Sequence, residues 1–404
     1  TVFSSIPAGT YLFGVNTYAS TDIMTANFGQ RSFAYTPPSG FKALCTANLP
    51  ASTIVKGNQY MDVLTYTGTG GTRTLTGLNF QPDMVWSKSR SSTINHTIID
   101  AVRGVGSSGS SKSLVTNNTE AESWSSANFG YLSSFNNNGV TYTAGSSNND
   151  QYNQNTVTYV QWNWNAGGST VTNTNGSISS QVRANPTAGV SVVTYTGTGA
   201  NATVGHGLGV APAMVIIKPR NIGSYDWQVW QKSFVTASNT DYLLLNQTVS
   251  KGYYGANALW NSTVPSSSVI SLGTYTGVNG STNTYVAYCF AEIAGFSKFG
   301  SYTGNGSADG TFIYLGFRPK FFMIKGSTNT YNWIIDDSSR SPTNVAHALL
   351  NPNLSDAENT SVNEYDFTAN GVKIRTSDIG LNQSGQTYIY MAFAENPFAN
   401  ANAR

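Results

Sequence analysis

Short runs of alternating apolar and polar residues are the main pattern along the chain. The run SVVTY at 191–195 is typical, because as a strand it would place apolar side chains on one face and polar ones on the other. Such runs are separated by stretches rich in Gly, Asn and Ser, which favour turns. The pattern predicts an all-β protein with many short strands.

Four sequence motifs occur three times in the same order. The first is YTGxG at 66–70, 195–199 and 302–306, and the second is a Pro followed by a strand that ends in Lys88, Lys218 or Lys325. The third is an apolar segment with a strand that runs into Asn117, Asn246 or Asn351. The fourth is an aromatic strand at 158–162, 284–288 and 387–391. In the apolar segment this alignment matches Asp100 of the first copy with Trp230 of the second and Asp336 of the third. The repetition predicts one unit present in three copies.

Each copy is long enough to be a domain with its own hydrophobic core, at about 105–130 residues. We expect tandem β-sandwich modules of the jelly-roll or concanavalin-like kind. The predicted bounds are a segment at 1–57, which is either a partial domain or a segment that docks on repeat 1, then repeat 1 at 58–168, a linker at 169–187, repeat 2 at 188–295 and repeat 3 at 296–404. The linker is rich in Gly, Ser, Thr and Asn, whereas repeats 2 and 3 follow each other directly and are expected to pack together.

Composition and charge exclude several classes of protein. Only 10% of the 404 residues are charged, and 21 basic against 19 acidic residues leave a net charge of +2, which argues against nucleic acid as a partner. No apolar stretch approaches the length of a membrane-spanning helix, so no membrane insertion is expected. Cys45 and Cys289 are too few for a disulfide framework, and we expect two buried, unpaired thiols.

Several segments resemble proteins of bacteriophage tails. The run FGQR–F–Y–PP–GF–AL at 28–44 is similar to the closing strands of a SPRY-type sandwich in phage tail proteins, and the tripled YTGxG…P…K…TY unit resembles β-rich modules of phage tail fibres. The ending AFAENPF at 392–398 is also typical of them. The resemblance implies an extracellular virion component that attaches to the host, commonly as a homotrimer, with other tail or virion proteins as partners.

Motifs for catalysis are not found in the sequence. His96, His206 and His347 stand apart from other metal ligands, and no nucleophile elbow is present. Asp336 and Asp337 form the best acidic pair, but adjacent residues of a strand point to opposite faces. We therefore expect no enzyme, no catalytic residue, no metal and no cofactor.

Aromatic residues outside the repeated strands are the candidates for binding a ligand or receptor. They are Trp124, Tyr131, Tyr253, Tyr254, Trp260 and Tyr331. They lie among Ser, Asn and Gly, the adaptable polar residues of recognition loops, although a Trp can instead anchor a loop to its own domain. The aromatic residues of the repeated strands are expected to lie in the core.

The function expected from the sequence is non-covalent attachment to a host surface glycan, or to a surface protein, by a tail-fibre segment. An alternative is a structural virion protein, either a spacer or a decoration of capsid or tail, that makes no contact with a receptor. A glycan-degrading enzyme is a third possibility, and the missing pair of catalytic carboxylates argues against it.

Overall fold

The computed structural model describes residues 31–32, 36, 53–122, 127–146, 151–234, 241–253, 258–362 and 364–397. Residues 51–404 form one compact unit, and residues 1–50 form another. Most of the predicted N-terminal partial domain and Cys45 lie outside the described residues. Cys289 is buried and unpaired, as expected.

Nearly all regular structure in the described residues is β-strand, which confirms the predicted all-β sandwich class. Module 1 (58–168) contains β1 (Met61–Thr67), β2 (Arg73–Thr76), β3 (Met84–Ser89), β4 (Thr97–Asp100), β5 (Leu114–Val115), β6 (Tyr131–Asn136), β7 (Gly139–Thr143) and β8 (Thr158–Trp164). Module 2 (169–295) contains β9 (Val171–Asn173), β10 (Ser180–Asn185), β11 (Val190–Thr196), β12 (Ala202–Gly205), β13 (Met214–Pro219), β14 (Gln228–Gln231), β15 (Asp241–Leu244), β16 (Gly252–Tyr253), β17 (Val269–Leu272), α1 (Thr276–Asn279) and β18 (Thr284–Phe290). Module 3 (296–397) contains β19 (Ser297–Thr303), β20 (Phe312–Tyr314), β21 (Pro319–Gly326), β22 (Ile334–Asp337), β23 (Tyr365–Thr368), β24 (Gly371–Ile374), α2 (Ile379–Asn382) and β25 (Thr387–Ala394).

Each module has a large and a small antiparallel sheet with corresponding strand order. The large sheets run β1-β8-β3-β4-β5 in module 1, β16-β15-β14-β13-β18-β11-β10-β9 in module 2 and β19-β25-β21-β22 in module 3. The small sheets run β2-β7-β6, β12-β17 and β20-β24-β23. In every copy the last strand of the module lies between the first and the third strand of the repeated unit, so the three copies share one topology.

The YTGxG motif closes each sandwich by the same contacts. Tyr66 stacks on Tyr159 with ring centroids 5.1 Å apart, and its hydroxyl donates to the carbonyl of Tyr152 at 2.7 Å. The corresponding stacked pairs are Tyr195 with Tyr285 and Tyr302 with Tyr388. The first glycine allows close approach, because a Cβ on Gly68 would lie 2.0 Å from the carbonyl oxygen of Gln154. The motif is therefore structural.

The predicted linker at 169–187 is wrong, because this segment forms β9 and β10 at the edge of the large sheet of module 2. β10 pairs with β11, where Val182 lies opposite Val193. Val182 and Ile178 are buried in the core of module 2, whereas Gln181 between them is exposed. Sparse apolar residues at a spacing of two are enough to place a strand at a sheet edge. Because most residues of the segment 169–187 are polar, its strand pattern was not recognised from the sequence.

The outer face of each large sheet packs on the other two modules. In β8, Trp162 and Trp164 belong to a core cluster with residues from all three modules, while Tyr159 belongs to the core of module 1 alone. Three corresponding rings meet at the centre of this cluster. Centroid distances are 6.3 Å between Trp164 and Phe290, 6.0 Å between Trp164 and Phe393, and 6.2 Å between Phe290 and Phe393. The nearly equal spacing indicates pseudo-threefold symmetry about this aromatic trio.

One backbone hydrogen bond, repeated at all three module boundaries, closes the arrangement into a ring. In each case the amide of one module donates to a carbonyl of the next at 2.7 Å: Glu122 to Arg220, Lys251 to Ser327, and Glu358 to Arg90. The last bond returns from module 3 to module 1. The three copies are therefore a closed trimer within one chain and not a row of separate domains.

Buried lysines at the end of the repeated strand also link neighbouring modules. The ammonium of Lys218 donates to the carbonyl of Thr119 in module 1 at 3.0 Å, and that of Lys325 donates to Thr248 in module 2 at 3.1 Å. Burial lowers the pKa of Lys88 to about 7, and its interaction with Asp356 and Glu358 of module 3 opposes this shift. Burial likewise lowers the pKa of Lys218 to about 8 and that of Lys325 to about 7.

Candidate functional site

Of the six predicted contact residues, the structure describes the side chains of three, Tyr131, Trp260 and Tyr331, which lie one in each module and do not form one site. Trp124 and Tyr254 lie outside the described residues, and of Tyr253 only the backbone, in β16, is described. Tyr131 is half-buried in β6 of module 1. Tyr331 is half-buried in module 3.

Trp260 is a core residue and is not exposed for ligand contact. Only 2% of its surface is accessible, and its indole nitrogen donates to the carbonyl of Asp241 in β15 at 3.1 Å. The polar sequence around Trp260 suggested a recognition loop. The ring instead anchors this loop to its own module, the alternative that the chemistry of Trp allows.

Tyr331 lines a cleft of about 220 Å³ on module 3, which we call the module 3 cleft. Its walls are Tyr331, Asn332, Ile334, Leu349, Asn351, Asn359, Val362, Glu364, Asp378 and Gly380. The mixture of one aromatic ring, aliphatic side chains, amides and two carboxylates is typical of a site for a small polar ligand. The sequence predicted Tyr331 but none of its acidic neighbours.

The two acidic groups of the module 3 cleft have different surroundings. Glu364 is only 8% exposed, and its Oε2 atom has no hydrogen-bond partner among the described residues. Burial raises the pKa of Glu364, and the charge of Asp378 adds to this shift, while a hydrogen bond with Thr376 opposes it. Asp378 is exposed and caps α2, with Oδ1 accepting from the amide of Gly380 at 2.7 Å. The cleft therefore contains a buried acceptor and a carboxylate at its rim.

Module 1 has a cleft at the corresponding position. Its volume is about 350 Å³, and it is lined by Ser92, Thr93, Ile94, Asn95, Phe129, Gln151 and Gln154. Ile94 and Tyr331 occupy corresponding positions. Each lies two residues before a residue, His96 or Trp333, whose amide donates to an asparagine side chain. The lining of the module 1 cleft is neutral, so the two clefts differ in charge.

A cavity of about 670 Å³ lies where modules 1 and 2 meet and is open and polar. Asp83 is the only charged side chain among the described residues that line it. The carboxylate of Asp83 accepts from the amides of Ala166 and Gly168 and pairs with Arg183 of β10 at 2.5 Å. These bonds hold β10 against module 1, so the charge of Asp83 has a structural role.

The acidic pair Asp336 and Asp337 is buried at the boundary with module 1 and is structural. Asp337 pairs with Arg340 at 2.5 Å and accepts from the indole nitrogen of Trp162 at 2.9 Å. Burial raises the pKa of Asp336 to about 8, although Arg340 opposes this shift. Neither side chain lines the clefts or cavities described above.

The sequence alignment of Asp100 with Asp336 and Trp230 is wrong by one residue. Asp100 lies opposite Met84, Asp337 lies opposite Phe321, and Gln231 lies opposite Met214 in the corresponding strand pairs. Asp100 therefore corresponds to Gln231 and Asp337. Asn353, and not Asn351, is the counterpart of Asn117, because its side chain accepts from the amide of Trp333 at 3.0 Å as that of Asn117 does from His96.

Within the described ranges, no group of three or more His, Cys, Asp or Glu side chains could hold a metal ion. No helix of the described part of the chain has the length and apolar character needed to cross a membrane. His206 is buried, which lowers its pKa, and its ring contacts the carbonyl of Ser266 at 3.2 Å.

Residues 56–397 match the family called Domain of unknown function (DUF7483), and the chain belongs to this family. The match spans all three modules, so the family corresponds to the whole closed ring and not to one repeat. A search of curated proteins finds no match.

Proposed function

We propose that the chain is a segment of a bacteriophage tail fibre that binds polysaccharide on the host surface without covalent chemistry. The support comes from the resemblance of its repeats to tail-fibre modules and from the position of its clefts. The buried ionic groups are engaged in contacts between modules, whereas the module 1 and module 3 clefts are each lined by residues of one module alone.

The observation that carries this proposal is the presence of polar clefts at the same position of two modules. Amides line both clefts, and Tyr331 adds an aromatic ring to one of them. Amides and aromatic rings together suit hydroxylated rings, since one group bonds to hydroxyls and the other packs on the ring face. Repeated sites in one rigid chain would increase avidity even if each binds weakly.

Binding to bacterial surfaces tests the proposal. We would measure retention of the fluorescently labelled full chain on intact bacteria of many strains and on an array of their purified surface polysaccharides. We expect retention on a subset of strains, with loss after enzymatic removal of the surface polysaccharide. Absence of binding to every strain and every polysaccharide would contradict the proposal, and release of oligosaccharides would indicate an enzyme instead.

A structural virion protein is the second candidate function, and the closed pseudo-threefold ring favours it. A unit of this symmetry could cap or extend a threefold shaft without contact to a receptor. Electron microscopy of the intact particle distinguishes the two: a receptor-binding segment would lie at the distal tip, and a spacer along the shaft or shell. Whether the chains also associate as a homotrimer is a separate prediction, which sedimentation of the full chain would test.

A further inference from the structure

The module 3 cleft has a carboxylate where the corresponding place in module 2 has an aromatic ring. Tyr225 corresponds to Tyr331, and Tyr275, which precedes α1, corresponds to Asp378, which precedes α2. In module 2 the two tyrosines contact each other edge to face, with ring centroids 6.1 Å apart. In module 3 the second ring is replaced by a carboxylate. The space beside Tyr331 is therefore open to a ligand.

A buried carboxylate is part of the cleft lining. Glu364 is more than nine-tenths buried and lines the cleft, and its Oε2 atom has no hydrogen-bond partner among the described residues. Leaving a buried polar atom unpaired destabilises the folded protein, and more so when the group is charged. A ligand that donates a hydrogen bond to this atom would remove this destabilisation, which gives the cleft a preference for hydrogen-bond donors.

We infer that the module 3 cleft binds one saccharide unit that carries hydroxyl or ammonium donors and no acidic group. Tyr331 would pack on the face of the sugar ring, and Glu364 would accept from its donors. Asp378 at the rim adds a second negative charge, which disfavours uronic and sialic acids by repulsion between like charges. The volume of about 220 Å³ is below the roughly 300–1,000 Å³ of sites for drug-sized molecules and suits a single ring.

This inference rests on the proposed binding of polysaccharide and names the site and the class of sugar. The experiment is saturation-transfer NMR on the full chain with three probes, the methyl glycosides of glucose, glucosamine and glucuronic acid. We expect transfer to the glucose and glucosamine probes and at least tenfold less to the glucuronic acid probe.

Variants locate the site. Tyr331→Ala is expected to reduce binding of both probes at least fivefold, whereas the matched variant Tyr225→Ala in module 2 leaves it unchanged. Glu364→Gln, which keeps the shape of the side chain, is expected to weaken the glucosamine probe more than the glucose probe. If Tyr331→Ala does not fold, Glu364→Gln alone tests whether the probes bind at the module 3 cleft.

Failure of this inference can be told apart from failure of the proposed function. If the chain is retained on bacteria and Tyr331→Ala and Glu364→Gln bind as well as the unmodified protein, the site is elsewhere and the inference is wrong while the proposed function stands. The inference is also overturned if none of the three probes shows transfer or if the glucuronic acid probe binds equally. Probe binding at this cleft without retention on bacteria supports the inference and contradicts attachment to the host.

Discussion

The boundary between modules 3 and 1 contains a buried ion pair, whereas the boundary between modules 2 and 3 has Gln231 and Phe234 at the same positions. Arg340 of module 3 pairs with Asp337 at 2.5 Å and with Glu358 at 2.8 Å, and all three groups are almost fully buried. The residue at the position of Arg340 in module 2 is Phe234, which belongs to the shared core. One backbone arrangement thus accommodates two kinds of buried contact.

For each kind of buried contact, the neighbouring module supplies a side chain that suits it. Trp162 of module 1 donates to the carboxylate of Asp337 at 2.9 Å, and Tyr288 of module 2 donates to that of Asp100 at 2.8 Å. Their counterpart in module 3 is Met391, which has no polar hydrogen to donate and faces an interface without the ion pair. The comparison shows that ring closure depends on matched burial at each boundary and does not require a particular chemistry.

The largest expected effect comes from breaking the ion pair at one end. Arg340→Phe leaves the carboxylate of Asp337 buried and unpaired, so we expect a loss of about 3–5 kcal/mol in the free energy of unfolding. The double variant Asp337→Gln with Arg340→Phe copies Gln231 and Phe234 of module 2 and should recover most of this loss. Urea denaturation followed by Trp fluorescence measures both.

The exposed pair of Lys232 and Glu292 provides the control, because Lys232→Ala should change the free energy of unfolding by at most about 1 kcal/mol. If the double variant is as unstable as Arg340→Phe alone, the ionic and apolar contacts are not interchangeable and the comparison fails.

The boundary between modules 2 and 3, which lacks a counterpart of the ion pair of Arg340 with Asp337, is tested by Met391→Ala. Removing this side chain from the shared core should cost about 2–3 kcal/mol through lost burial and the remaining cavity. Since no ion pair is involved, we expect the same loss at low and at high ionic strength. A loss that depends strongly on salt in urea denaturation would show that this boundary also relies on charge.

The pH dependence of stability distinguishes the two boundaries further. Asp336 has a folded pKa of about 8 against an ordinary value of 3.8, so the folded protein holds a proton there that the unfolded chain has lost. Stability from this group is therefore lost as the pH rises towards 8. Between pH 7 and pH 8 we expect the unmodified protein to lose about 1 kcal/mol relative to Asp336→Asn.

The difference between the unmodified protein and Asp336→Asn contains its own control. Lys88, Lys218 and Lys325 titrate alike in both proteins, so their contribution cancels. Their lowered pKa values make the folded protein gain stability as the pH rises above about 7. A difference between Asp336→Asn and the unmodified protein that stays constant from pH 7 to pH 8 would contradict the raised pKa of Asp336.

The smallest effect is expected at the edge of the ionic boundary. Arg90 is 27% exposed and pairs with Glu358 at 2.7 Å. Because Glu358 keeps its contact with Arg340, Arg90→Ala should cost only about 0.5–1 kcal/mol, and the loss should shrink at high salt. If Arg90→Ala lowers the free energy of unfolding as much as Arg340→Phe does in the same assay, residues at the edge of this boundary contribute as much as those at its centre, which contradicts this prediction.

The sequence predicted the repeated strands well because each copy carries the same apolar alternation and the same glycine turns. It did not predict the ring, since the residues that join the modules are not the same in every copy: Gln231 of module 2 stands where modules 1 and 3 have Asp100 and Asp337. The one-residue error that matched Asp100 with Asp336 reflects a run of adjacent apolar residues, where alternation gives no unique register and a shift by one exchanges the faces.

The candidate site was predictable only in part. Tyr331 was identified because it lies outside the repeated aromatic strands, but Glu364 and Asp378 lie 33 and 47 residues further along the chain and belong to no motif. Only the fold brings them together. The exchange of Tyr275 for Asp378 could have been noticed in the sequence, but its meaning depends on the contact between Tyr225 and Tyr275.

Hydrogen exchange of the three boundary amides tests the central claim, that the modules form one closed ring. The amides of Glu122, Lys251 and Glu358 each donate across a boundary at 2.7 Å. In a closed ring that unfolds as a unit, all three should exchange with the same free energy of opening, equal to that of global unfolding. If Glu358, whose bond returns from module 3 to module 1, exchanges much faster than the other two, the modules form an open row and the account is wrong.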